Sequence, residues 1–353
     1  MRRIREIDAG IIISAILISI VGLVGIWAAR GGPSNYFSRQ IIWLIISIGI
    51  FFLLALTDYE KLVNWSPWLY GGLVLLLAVM ARGRGVSSWI RFGSVWFQPS
   101  ELGKVIVPLF LTKVLYKKAS FPLSFRDLMK VAVIVGVPVV LIALQPDLGT
   151  AFVYLAFMLS AVFVFGMKRK HLTILLFAGA SLAVFLWFYM LKDYQRQRII
   201  SFLNPSEDPR GSAYQVYQSK ISIGSGRLAG RGFKEVSQAK LRFLPAAHTD
   251  FIFSVIAETF GFMGVLLLFL LYTILFLRIF RIGEFLDQEK GLVLLYMISS
   301  WIAFQTIFNL LIAVGLFPVT GFPLPLLSYG GSDLIAVYAS LGIINSILVW
   351  RWK

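Results

Sequence analysis

Asp250 and the residues around it carry the clearest chemical signal in this chain. The stretch Phe243-Leu-Pro-Ala-Ala-His-Thr-Asp-Phe-Ile-Phe253 runs on to Glu258, closing a polar segment (about 192–249) and opening a strongly hydrophobic run. Asp250 therefore stands where water gives way to hydrocarbon. A carboxylate there costs free energy unless it is used or paired, which marks it as a candidate proton acceptor. An aspartate N-capping a helix that starts at Phe251 is the structural reading of the same residue, and both roles are compatible. The polar segment carries ten Lys/Arg against four acids, with glycines at 211, 224, 226, 230 and 232 whose backbone N–H groups allow close approach of an anion. A basic, glycine-rich loop ending at a membrane-edge carboxylate suggests an anionic lipid headgroup held beside a general base.

Other polar residues sit in apolar surroundings. Glu101 and Lys104 are one helical turn apart and pair on one face, which lowers the cost of both charges. Gln145-Pro-Asp-Leu-Gly-Thr150 breaks an apolar stretch with a carboxylate, as a cavity-lining turn or an external Asx-capped turn does. Gly315 to Asp333 holds three prolines at 318, 323 and 325 among apolar residues, too apolar for a solvated loop and too broken for a helix. It reads as a buried re-entrant segment. Gln305 and Asn309 just before it are expected to be interhelical hydrogen-bond partners. Between Ala81 and Ser100, Arg82, Arg84 and Arg91 alternate with Trp89, Phe92, Trp96 and Phe97, a composition that suits an interfacial hairpin. Glu258 lies two turns beyond Asp250, about 12 Å along a helix axis, and is read as structural.

These groups must be held by membrane helices. The 353 residues are 58% hydrophobic and 14% charged, with a mean hydropathy of +0.82, outside the range of water-soluble domains. Apolar runs of about twenty residues, enough for a bilayer core of about 30 Å, place ten spans at roughly 8–29, 39–57, 64–80, 101–116, 131–145, 148–166, 172–191, 250–280, 291–315 and 333–350. The fold class is an all-α polytopic membrane protein, one integral membrane domain over 1–353, with an external loop at about 192–249 between spans seven and eight and the re-entrant segment before the last. The first run is longer than a signal-peptide core and reads as a retained helix. Three N-terminal arginines and the basic clusters at 117–130, 168–170, 278–290 and 351–353 place both termini in the cytoplasm by the positive-inside rule. There is no cysteine, which excludes disulfides and thiolate chemistry. Two histidines, His171 and His248, are too few for a histidine-rich metal site. The net charge of +16 is interleaved with apolar spans, so anionic lipid headgroups, not nucleic acid, are its counterpart.

Four separated motifs, Gln98-Pro-Ser-Glu101 with Lys104, Gln145-Pro-Asp-Leu-Gly-Thr150, Pro245-Ala-Ala-His-Thr-Asp-Phe-Ile-Phe-Ser254 and Pro318 to Ser332, together resemble the SEDS family (shape, elongation, division and sporulation). The run Asp193-Tyr-Gln-Arg-Gln-Arg198, with Asp208 and Lys220-Ile-Ser-Ile-Gly-Ser-Gly226, is most similar to its rod-shape elongation branch, RodA. Phe322 and Asp333 depart from the family pattern, where an aliphatic and a small residue are usual. The resemblance implies a peptidoglycan glycosyltransferase that polymerises lipid II on the outer face of the bacterial inner membrane, working with a class B penicillin-binding protein. It further implies that Asp250 is the essential aspartate, that Glu101 and Lys104 form a structural ion pair, and that Arg196 and Arg198 are the loop arginines. Lys220 and Arg91 are counted with those arginines as substrate-binding residues.

The chemistry fits those residue types. Joining α-linked lipid II into a β-1,4 glycan inverts C1, so a single displacement suffices. It needs a base for the acceptor hydroxyl and cations for the departing pyrophosphate, which arginine forks bind in pairs. No cofactor is implied; a divalent cation is compatible, though no carboxylate cluster demands one and no metal ligand is assigned. A flippase or a proton-coupled transporter of a lipid-linked oligosaccharide precursor is the rival expectation.

Overall fold

The computed structural model describes residues 6–82, 88–93, 95–116, 119–208, 211–233, 244–286 and 288–351. Arg2, Arg3, Arg5, Arg84, Lys117, Lys118, Arg210, Lys234, Lys240, Arg242 and Lys353, all used in the charge argument above, lie outside the described residues. The architecture is all-α apart from one short hairpin. In chain order the helices are α1 (Ala9–Arg30), α2 (Asn35–Leu56), α3 (Tyr59–Ala81), α4 (Pro99–Leu115), α5 (Phe125–Leu144), α6 (Leu148–Val153), α7 (Leu155–Phe165), α8 (Arg169–Phe185), α9 (Asp193–Leu203), α10 (Ser212–Ser225), α11 (Ile252–Glu284), α12 (Glu289–Ala313) and α13 (Gly331–Val349). Strands β1 (Ile90–Phe92) and β2 (Val95–Phe97) pair antiparallel between α3 and α4.

Helix ends follow local chemistry. The Asp8 carboxylate accepts from Ile11 N to start α1, and Gly31 ends it in the left-handed conformation at φ 73°. Ser34 and Ser124 cap α2 and α5 in the same way, and Pro99 opens α4 where its missing N–H is harmless. Eight helical segments are long and apolar enough to cross a membrane: α1, α2, α3, α5, α6 with α7, α11, α12 and α13. The fourth and seventh expected spans coincide with α4 and α8, of 17 residues each.

Helix α13 is the hub. Its apolar window is 94% buried against 22% for α3, because α2 and α4 pack along it. The two chain ends meet on one side of the bundle: Asp8 N donates to Asn345 Oδ1 at 2.8 Å, Arg278 lies 3.6 Å from the Asp8 carboxylate, and Gln288 Nε2 donates to the Arg351 carbonyl.

Three features are more elaborate than the sequence reading. Span eight is not one continuous helix: Gly261, at φ 65° and ψ −163°, kinks α11. A Cβ there would stand 2.3 Å from Gly230 N, so only glycine lets the chain at 228–230 approach so closely. The described residues of the polar segment after α8 include α9 and α10, and α10 packs on α11 with Ser219 Oγ 2.6 Å from Ser254 Oγ. Beyond α10, the backbone at 227–232 bonds to the first turns of α11, with Arg231 N donating to Glu258 O at 2.9 Å and Phe262 N to Arg227 O at 2.8 Å. Residues 315–330 form an irregular segment whose Val319, Phe322, Leu324, Leu326 and Leu327 are buried. The hydroxyl of Tyr272 on α11 donates to Pro325 O, holding that segment in the bundle.

Candidate active site

Asp250 sits in a tight turn ahead of α11. Ala246 adopts φ 53°, and its carbonyl accepts from Thr249 N and Phe251 N. The turn is stitched to the irregular segment: Tyr329 N donates to His248 O at 2.9 Å and Ser328 Oγ to Thr249 O at 2.6 Å. Asn309 Nδ2 on α12 donates to the Asp250 carbonyl at 3.1 Å and to the Phe322 carbonyl at 2.9 Å, so it ties its helix to two irregular segments and not, as expected, to another helix. Phe251, not Asp250, is the N-cap of α11, and no side chain bonds there. The Asp250 carboxyl is therefore not consumed by capping. It lines a cavity of about 940 Å³. Burial pushes its pKa up to about 6, opposed by a hydrogen bond from Thr249 and the charge of Arg198.

The same cavity gathers Asp147, Glu101 and Asp333 from other elements. Asp147 is at once a cavity wall and a cap: its carboxylate accepts from Thr150 N at 3.1 Å, opening α6, and from Gln98 Nε2. Burial raises its pKa. Below it lies the expected ion pair, Lys104 Nζ 2.7 Å from Glu101 Oε2. The pair is in fact a larger cluster. Lys104 Nζ also donates to Gln305 Oε1 at 2.7 Å and to Asp333 Oδ1 at 3.3 Å, and Gln305 Nε2 donates to Asp333 at 2.9 Å. Lys104 is fully buried.

Among the expected cations, Arg198 is the one whose charge acts on Asp250. Arg198, on α9, donates to Val319 O at 3.4 Å. A Cβ added at Gly321 (φ 84°) would stand 3.7 Å from Asp250 Oδ2 and 3.9 Å from Arg198 Nη1, so this glycine keeps the space between acid and cation open. Arg198 and Lys220 also line an adjoining cavity of about 270 Å³ with Ser201, Ser212 and Val319. Arg196, two residues earlier, points elsewhere because two helical steps turn about 200°. It donates to Phe188 O at 3.1 Å and lies 3.9 Å from Asp193. Arg91 is on the hairpin, its guanidinium 4.0 Å from the centre of the Trp96 ring. Glu258 is fully buried beyond Asp250, outside the cavity lining.

Arg39 and His248 also line the cavity; the sequence reading did not single out Arg39 and weighed His248 only as a metal ligand. Arg39 sits in the first turns of apolar α2, and the rarity of an ionisable residue in a membrane helix was the available signal. His248 is kept neutral, its pKa lowered to about 4 by burial and by Arg30, whose Nη2 lies 3.0 Å from Nε2. Among the described residues no group of three His, Asp or Glu side chains is gathered to hold a metal ion.

Residues 8–351 match the family profile described as Cell cycle protein, that of FtsW, RodA and SpoVE. Peptidoglycan glycosyltransferase MrdB of Escherichia coli K12 is 35% identical over 350 residues, 98% of this chain and 94% of that protein. Stage V sporulation protein E of Bacillus subtilis is 34% identical over 355 residues, covering 96% of each. Among solved structures, a chain from "Structural coordination of polymerization and crosslinking by a peptidoglycan synthase complex" superposes with a TM-score of 0.83 at 33% identity, covering 98% of this chain and 99% of that one. The Thermus thermophilus rod shape determining protein RodA superposes with a TM-score of 0.73 at 31% identity, covering 98% of both chains. Matched over nearly its whole length in sequence and in fold, the chain belongs to the FtsW, RodA and SpoVE family of cell cycle proteins.

Proposed function

We infer that the protein is a peptidoglycan glycosyltransferase that polymerises lipid II into β-1,4 glycan strands, with Asp250 as general base. The activity is supported by relatives named for it. The observation that carries the site is an uncapped Asp250 carboxyl in the wall of a large cavity, with Arg198 beyond an open glycine. In the reaction, the acceptor 4-hydroxyl oxygen attacks C1 of the donor sugar while the bond from C1 to the pyrophosphate oxygen breaks. Asp250 takes the hydroxyl proton and the lipid pyrophosphate departs with the bonding electrons. A carboxyl whose pKa is raised to about 6 is ionised at neutral pH yet basic enough to accept that proton. Arg198 and Lys220, sharing the smaller cavity next door, hold the pyrophosphate charge as it develops.

The finer architecture belongs to the same reading. Counting α4 and α8, each about 26 Å long by helical rise, gives ten spans with both termini in the cytoplasm. Lys130, Lys168 to Lys170, Arg278, Arg281, Lys290 and Arg351 then face the cytoplasm. Residues 192–249 and the cavity face outward, and 315–330 re-enters the membrane. The membrane is the bacterial inner membrane. A class B penicillin-binding protein is the partner, on the ground that a similar chain is found in a complex coordinating polymerisation with crosslinking. The test is purified protein in detergent supplied with lipid II, products resolved by glycan gel. Long strands from the native chain and none from Asp250→Asn support the reading. Detergent leaves no bilayer to flip across, so absence of strands with intact lipid-linked oligosaccharide transport in vesicles would favour the flippase instead.

A further inference from the structure

The Asp250 cavity has a second wall that proton transfer does not use. The β1–β2 hairpin is tied beside the cavity at both ends: Ser88 Oγ donates to Gln145 O at 2.9 Å, and Gln98 N donates to Ser332 Oγ at 3.0 Å. Antiparallel register sets Arg91 opposite Trp96, and the two-residue period of a strand puts Trp89 on that same face. Trp89 and Trp96 line the cavity while remaining 39% and 47% exposed. Arg91 stacks over the Trp96 ring from the same face without itself lining the cavity, so it steadies the indole. Trp43 also lines the cavity and lies against Gly331, where a Cβ would meet its ring at 2.4 Å. Tyr36, held edge-on to Tyr329 at 5.1 Å, completes the wall.

A hairpin that only anchored the chain at the interface would turn its indoles toward lipid headgroups. Here they turn into a cavity that also presents Arg39, Gln98 and Thr150. Aromatic faces alternating with hydrogen-bonding side chains are what a pyranose requires. The C–H groups of a sugar face are weakly positive and meet the negative face of an aromatic ring, while its hydroxyl and amide rim needs planar polar partners. We propose that Trp89 and Trp96, faced by Trp43 and Tyr36, form a saccharide subsite that holds the growing glycan beyond the sugar being joined at Asp250. The identity of the sugar, an N-acetylated aminosugar, rests on the glycosyltransferase reading; the stacking surface does not. A subsite that holds the strand between additions slows its release, so its loss is expected to shorten the product.

The experiment titrates purified full-length protein with a lipid-free N-acetylglucosamine tetramer, followed by saturation-transfer NMR. In parallel, strand lengths made from lipid II are measured. Trp96→Ala and Trp89→Ala are expected to weaken tetramer binding about tenfold, the scale of one lost aromatic contact, and to shorten the strands. Trp96→Phe, which keeps a ring face, is expected to retain most of both. Absence of tetramer binding to the native protein, equal binding by Trp96→Ala, or loss of binding by Trp96→Phe at native Tm overturns the proposal. So does loss of a copurifying transpeptidase from the hairpin variants with tetramer binding intact, which would make the wall a protein-docking surface. Tryptophan-dependent tetramer binding by a protein that makes no strands would leave the subsite standing and remove the glycosyltransferase reading.

Discussion

Two groups of charged residues line one cavity and are treated in opposite ways. At Lys104 the three ammonium protons have three acceptors, Glu101, Gln305 and Asp333, at 2.7, 2.7 and 3.3 Å. That cluster is buried among α4, α12 and α13, with Lys104 5.3 Å from the Trp301 ring centre. At Asp250 the carboxyl keeps a hydrogen bond from Thr249 and feels Arg198 from beyond the open Gly321, and it does not cap its own helix. Complete pairing makes a charge inert and its loss destabilising; incomplete pairing leaves a carboxylate basic. On the proposed reading the first arrangement is structural and the second serves the chemistry.

The largest effect that would sharpen this contrast is Asp250→Asn. It keeps size and removes basicity, so polymerisation of lipid II is expected to fall by at least about 100-fold, with the Tm held. Substantial strand synthesis by the Asn variant would break the contrast at its active half.

The structural half is tested by calorimetry. Lys104→Met strands two buried carboxylates and is expected to cost about 3–5 kcal/mol. Glu101→Gln should cost less, because Asp333 remains as a carboxylate partner at 3.3 Å. The double variant Glu101→Gln with Asp333→Asn leaves Lys104 as a lone buried charge and should approach the Lys104→Met loss. A Glu101→Gln variant as unstable as Lys104→Met would show that Asp333 does not share the lysine.

Smaller effects separate the cations. Arg198→Lys keeps charge but loses the planar fork, and about a tenfold loss of polymerisation is expected. Arg196→Lys, whose guanidinium bonds to Phe188 O, should stay within about twofold of the native rate. Equal losses in both would restore the two arginines as one anion grip.

The smallest effect is a displacement of the pH profile. Only ionised Asp250 accepts a proton, so the rate should fall as pH drops through about 6. Arg198 holds that pKa down, so Arg198→Gln is expected to move the acidic limb to higher pH. A limb that stays in place would uncouple the two residues.

Several parts of this molecule were legible one residue at a time. Apolar length determines that these helices lie in a membrane, and eight segments meet that criterion where spans were expected. The spacing of Glu101 and Lys104 was enough to predict their contact, because i and i+3 are neighbours on any helix. The switch from a polar segment to a strongly apolar run likewise located Asp250 just ahead of α11. Gln305 and Asn309 were recognisable as polar links because an amide inside an apolar helix must find partners.

What joins distant segments was decided by the tertiary structure alone. Asp333 meets Lys104 across 229 residues, a contact that no spacing rule contains. Arg196 and Arg198 look alike in sequence; helical spacing turns them to opposite faces, and the packing of α9 decides which face meets Phe188 and which feels Asp250. The capping reading of Asp250 fails for a similar reason: the backbone at Thr249 and Asp250 is held by Ser328 and Asn309, which places the helix start at Ile252. Sequence governs which groups are costly to bury, since that depends on residue type and local period. Which of them end up paired depends on the approach of other chain segments, and that is a property of the fold.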